Sequence, residues 1–150
     1  MPMHHETSIV IAARPDVVWS TLTDIERWPE WTRSVTKVER LDDGDLRVGS
    51  RARIRQPGMP PLVWEVTELV PGESFSWASK VPGVTTTGGH RLVAGSADSG
   101  ESVTVTLTVD QEGFLAPVVW RLMGSRSRRY AQMEAEGLKR RCEAGGAGQA

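Results

Sequence analysis

His90 is the residue best equipped for chemistry in this 150-residue chain. It shares strand parity with Leu92 and Ala94, which places its imidazole on the apolar side of a sheet. A histidine there can donate or accept a proton near neutral pH, as enolisation, aldol closure or dehydration demands. It can equally be a core histidine bonded to a backbone group or hydroxyl, or one that orients a ligand without transferring a proton. Arg126 and Tyr130 lie one helical turn apart on a stripe that also holds Leu122. Arg126 either reaches inward as a carboxylate or enolate partner or snorkels outward, and Tyr130 can offer its hydroxyl to a carbonyl or satisfy it against the sheet.

Other chemistries lack their residues. His4 and His5 stand near the start with no CxxC or HxxxH spacing, so no metal site is expected. Cys142, the single cysteine, excludes an internal disulfide, fits a reducing compartment and has no evident histidine partner for a catalytic thiol. There is no GxSxG elbow, no GxxxxGK loop and no GxGxxG, hence no serine triad and no nucleotide or other cofactor. Inward carboxylates are missing from the strand parity except Glu68, near a strand end.

The elements that position these groups read from period and turn chemistry. Thr7, Ile9 and Ile11 alternate as a strand; Pro15 opens a short helix carrying Val18, Leu22 and Ile25, and a second helical turn surrounds Asp24 to Trp31. Strands then follow over residues 35–41, 46–56, 62–70, 74–80, 84–94 and 102–109. Asp43-Gly44, Pro57-Gly58, Pro71-Gly72, Pro82-Gly83 and the segment 95–100 punctuate them. Tight turns between consecutive strands make the sheet an antiparallel meander of about seven strands. Leu115, Val119, Leu122, Arg126, Tyr130 and Met133 then trace one face of a long helix, with Pro117 in its first turn. A flexible tail is expected over 144–150. Parity turns Arg47, Arg51, Arg53 and Arg55 to water, and Leu62, Trp64, Val66, Phe75, Trp77 and the valines of 103–109 inward.

Composition narrows the partners. A formal net charge of −1 offers no general attraction to nucleic acid or anionic membrane, and the basic run Arg128-Arg129 to Lys139-Arg140-Arg141 is interleaved with Glu134, Glu136 and Glu143 as on a solvated helix face. No segment approaches the length of a membrane span and no secretory leader is evident at the start, so membrane insertion is not expected and a soluble cytoplasmic protein is. Six of nine aromatic residues are tryptophan, which asks for a core or cavity to hold them.

Val18-Trp19, the run Thr23-Asp24-Ile25-Glu26-Arg27-Trp28-Pro29-Glu30-Trp31, Val48-Gly49-Ser50, Trp64 to Glu68 and Gly137-Leu138-Lys139 resemble the polyketide cyclase/dehydrase branch of the START-like (SRPBCC) superfamily, over about residues 5 to 143. The resemblance implies a single α+β domain over 1–143 with the helix-grip (START-like, Bet v 1-like) fold, a curved antiparallel sheet around a long C-terminal helix, and a deep apolar cavity between them. In that cavity His90, Arg126 and Tyr130 are the candidate catalytic groups. Trp28 and Trp31 would close one end, Trp64 and Trp77 would form an aromatic floor beside Phe75 and Leu122, and Gln56 and Met59 would sit at a Pro-rich lid. The implied partner is a hydrophobic small molecule, polyketide, isoprenoid or lipid-like, bound by a monomer or homodimer. The role is that of a polyketide cyclase or dehydratase, or of a non-catalytic carrier or sensor.

Overall fold

A computed structural model describes residues 3–97 and 100–148. Strand β1 (Met3–Ile11) leads into helix α1 (Pro15–Thr23) and a 3-10 turn (Ile25–Glu30). Strands β2 (Lys37–Arg40), β3 (Arg51–Arg55), β4 (Leu62–Val70), β5 (Ser74–Val81), β6 (Val84–Ala97) and β7 (Gly100–Glu112) follow, and helix α2 (Ala116–Gly148) ends the described chain. The seven strands form one antiparallel sheet in the order β1-β7-β6-β5-β4-β3-β2. This is the helix-grip arrangement.

Alternation explains most of the strands. In β3 Ala52 and Ile54 are buried and Arg51, Arg53 and Arg55 exposed; in β5 Phe75, Trp77 and Ser79 are buried; in β7 Val103, Val105 and Leu107 are. The expected strand from Leu46 starts only at Arg51, because Gly49 takes a φ of +94° and its N–H reaches back to the Val66 carbonyl (2.9 Å). The register of β4 against β5 shifts between Val66 and Glu68, so Glu68 is exposed rather than inward. The tip between β6 and β7, at 98–99, lies outside the described residues.

Helix α2 departs most from expectation. Its buried face is Gly124, Ala131, Ala135, Gly137, Leu138 and Cys142, mostly small residues, whereas Leu122 and Arg126 of the expected stripe are exposed. Small side chains let the helix lie close on the sheet and the 3-10 turn. At Gly137 a Cβ would collide with the Trp31 carbonyl oxygen and lie 3.0 Å from its carbon. With no proline after Pro117 to stop it, the helix continues through Gly148, past the expected end near 143; residues 149–150 lie outside the described residues. Cys142 is buried, and burial pushes its thiol above its usual pKa.

The far end of α2 is tied to β1. Lys139 Nζ donates to the Val10 carbonyl (2.8 Å) and to Glu143 (2.6 Å), and Glu143 accepts from the Ala12 N–H (2.9 Å). The Lys139 ammonium and that N–H hold the Glu143 carboxyl below its ordinary 4.5. A lowered folded-state pKa gives stability that is present above the unfolded value and lost as pH falls through the folded one. Glu143→Ala should therefore cost about 1 kcal/mol at pH 7, a figure reduced for partial exposure. In urea titrations at acidic pH, below that range, the difference between variant and wild type should shrink.

Candidate functional site

Between the sheet and α2 lies a cavity of about 130 Å³. Its walls bring together seven of the residues singled out in the sequence: Trp28, Gln56, Met59, Trp64, Trp77, His90 and Tyr130. Four others fall outside that wall. Phe75 is fully buried behind the imidazole, stacked on it at 4.2 Å between ring centroids and 13° between planes. Trp31 packs on the back of Trp28 (5.4 Å) and borders a surface groove with Gly137, Arg140 and Arg141. Leu122 is 76% exposed, on the outer side of α2. Arg126 is exposed, and its guanidinium donates to the Gly58 carbonyl (3.0 Å) at the cavity's edge instead of reaching inside. The long arginine stem carries the charge outward, since a buried guanidinium with no anion would lose its hydration uncompensated.

Tyr130, one turn along the helix, lines the cavity and donates its hydroxyl to the Pro57 carbonyl. Two helix side chains thus clasp the β3–β4 connection, where Gly58 has a φ of +76° and Met59 faces the cavity. Arg126 and Tyr130 act on the mouth.

The deep end belongs to His90. It pairs across β5 with Phe75 and across β7 with Leu107, is 5% exposed, and lies edge-on to Trp28 (5.6 Å) and Trp77 (5.9 Å). Its Nδ1 lies 3.2 Å from the Phe75 carbonyl oxygen. A carbonyl can only accept, so Nδ1 carries the hydrogen and Nε2 is the nitrogen left for exchange. That nitrogen is 3.5 Å from Oε1 of Glu134, whose side chain is 14% exposed and also lines the cavity. An imidazole and a carboxyl group thus stand side by side at the wall of a mostly apolar chamber.

Glu134 is a cavity-lining residue that the sequence reading passed over. Read in the sequence as one acid interleaved in a basic, solvated run, it lies on the inner side of α2 with Ser127, Ala131 and Leu138. The available signal was that spacing of three and four among small residues, overshadowed by the bulkier stripe beside it. Further polar lining comes from Thr86 and Gln111, joined by a 3.2 Å hydrogen bond from Gln111 Nε2.

Residues 3–143 match the family model described as "Polyketide cyclase / dehydrase and lipid transport". A putative polyketide cyclase of Streptomyces halstedii is 38% identical over 74 residues, covering 47% of this chain and 64% of that protein; the chain thus spans under two thirds of this relative. Among solved structures, the Zhui aromatase/cyclase from a Streptomyces species superimposes with a TM-score of 0.76 at 18% identity, covering 95% of this chain and 94% of that one. A START superfamily protein from Mycobacterium smegmatis does so with a TM-score of 0.71 at 16% identity, covering 94% and 97%. At these identities the likeness is one of fold.

Proposed function

Since this chain belongs to the polyketide cyclase/dehydrase and lipid-transport family, we propose that it binds a hydrophobic, ring-forming carbonyl compound in the cavity and moves a proton at the carbon beside the carbonyl. The observation that carries this reading is the pairing of His90 Nε2 with Glu134 at the cavity wall, its ring fixed by the Phe75 carbonyl.

In this reading the basic partner of the pair takes a proton from the carbon next to a bound carbonyl, leaving an enolate. The enolate carbon bonds to a second carbonyl carbon of the ligand, whose oxygen takes that proton and becomes a hydroxyl; the base then removes the remaining proton of the same carbon and passes it to the departing hydroxyl, which leaves as water. The apolar lining keeps bulk water from competing, and the tight walls limit how a flexible ketide can fold. A free volume of about 130 Å³ resembles apolar cavities of about 150 Å³ that take up benzene. One ring fits beside His90, and the remainder of a longer ligand extends toward Met59 and Tyr130.

The bicyclic ketone 2-tetralone is a suitable probe: its α-protons exchange with deuterium on enolisation, which NMR follows, and its binding quenches Trp64 and Trp77. Saturable exchange at the concentration that saturates quenching is the expected result. Saturable quenching without accelerated exchange would leave a carrier or sensor, and the absence of both signals would overturn the cavity reading.

A further inference from the structure

We propose that the outer face of the first half of α2 docks on an anionic lipid bilayer, with the cavity mouth facing the membrane. The surface rests on three observations. Phe114, just before the helix, Val118 and Leu122 recur every four residues and are 83%, 53% and 76% exposed. With Leu115 packed over the neighbouring β5–β6 turn at Gly83, where Val81 is also exposed, they make an apolar strip that no element of the described chain covers. The helix turns small residues to the sheet and leaves this bulky set outside.

The second observation is charge. From Gly113 to Met133 the chain carries Arg121, Arg126, Arg128 and Arg129 and no acidic residue, in a protein of net charge −1. Exposed Phe and Leu interleaved with arginine fit an interface where apolar side chains enter the acyl boundary and cations meet lipid phosphates. A second copy of this chain is a poorer occupant, because a twofold contact would bring the two arginine sets together. The described helices include none long and apolar enough to cross a membrane, so the contact is peripheral.

Continuity with the mouth is the third observation. Arg126 and Tyr130, one and two turns beyond Leu122, hold the carbonyls of Gly58 and Pro57. A lipophilic ligand leaving the bilayer there would pass Tyr130 into the cavity with little exposure to water, which favours lipid over an acidic protein as the partner. This route rests on the cavity reading above.

Co-sedimentation with phosphatidylcholine vesicles containing about 30% phosphatidylglycerol, against pure phosphatidylcholine vesicles, tests the proposal. Binding at least about tenfold tighter to the anionic vesicles and weakened by salt is expected, as is a loss of at least about tenfold in the double variant Phe114→Asp/Leu122→Asp. Both side chains are exposed, and circular dichroism checks that the variant folds. Equal affinity for both vesicles, an unaffected variant, or light scattering showing a dimer that the variant dissolves without any vesicle binding would each overturn it. Tryptophan quenching by 2-tetralone in the same samples separates the two ideas: intact quenching without vesicle binding sinks the docking alone, and vesicle binding without quenching sinks the cavity alone.

Discussion

His90→Ala is expected to slow deuterium incorporation into 2-tetralone by about 10²–10⁴-fold, the usual contribution of a positioned acid/base group, with the affinity read from tryptophan quenching nearly unchanged. The separation follows from geometry. The imidazole contributes little apolar wall of its own, because Phe75, Trp28 and Trp77 surround it and hold the shape of the deep end. Removing it abolishes the proton acceptor and leaves those rings in place. Glu134→Gln should lower exchange as well, since an amide opposite Nε2 preserves size but neither takes up nor gives back a proton. Should affinity and exchange fall in parallel for His90→Ala, the histidine would be a binding group and the carrier reading would stand.

Gly137→Ala should destabilise the protein by about 2–4 kcal/mol, against a helix propensity that favours alanine by about 1 kcal/mol. Packing wins because the new methyl group would meet the Trp31 backbone, not the end of a flexible side chain, and neither the 3-10 turn nor α2 can retreat without opening the core. With a fall of about 2–4 °C per kcal/mol for a domain of this size, the melting temperature should drop by roughly 5–15 °C. Gly124→Ala is the control within the same helix. Its Cβ would have nearest neighbours at 3.5 and 3.6 Å, ordinary contacts with Arg128 and Trp120, so the propensity gain should survive as a small stabilisation. If both variants moved in the same direction, close backbone approach at Gly137 would not be what keeps α2 in place.

The sheet was legible from sequence where a period of two met a dry interior. Arg51, Arg53 and Arg55 against Ala52 and Ile54, Phe75 and Trp77 in β5, and His90 beside Leu92 all lie on the side their parity assigns. Parity fails where the backbone breaks its own rhythm. The turn at Gly49 cuts the expected strand short, and the irregularity after Val66 swings Glu68 outward. Helix α2 was misread for a different reason. Periodicity weighs large apolar side chains most heavily, whereas the contact with the sheet is made largely by glycine and alanine, so Leu122 and Arg126 of the apparent core stripe lie outside and Glu134 inside. Phe75 and Trp31 were assigned to the ligand because sequence gives the face of a strand or turn but not the depth behind another ring.

The pairing of β1 with β7 has a bearing on how the chain acquires its shape. Ser8 meets Thr106, 98 positions downstream, so the strand made first finds its neighbour only after almost the whole sheet has emerged from the ribosome. Contacts of such long range slow folding, and the opening segment spends that interval as an unpaired edge. Its alternation of polar residues, His4, Glu6 and Ser8, with Thr7 and Ile9 keeps that waiting edge from being uniformly greasy, a defence against clumping before the sheet is complete.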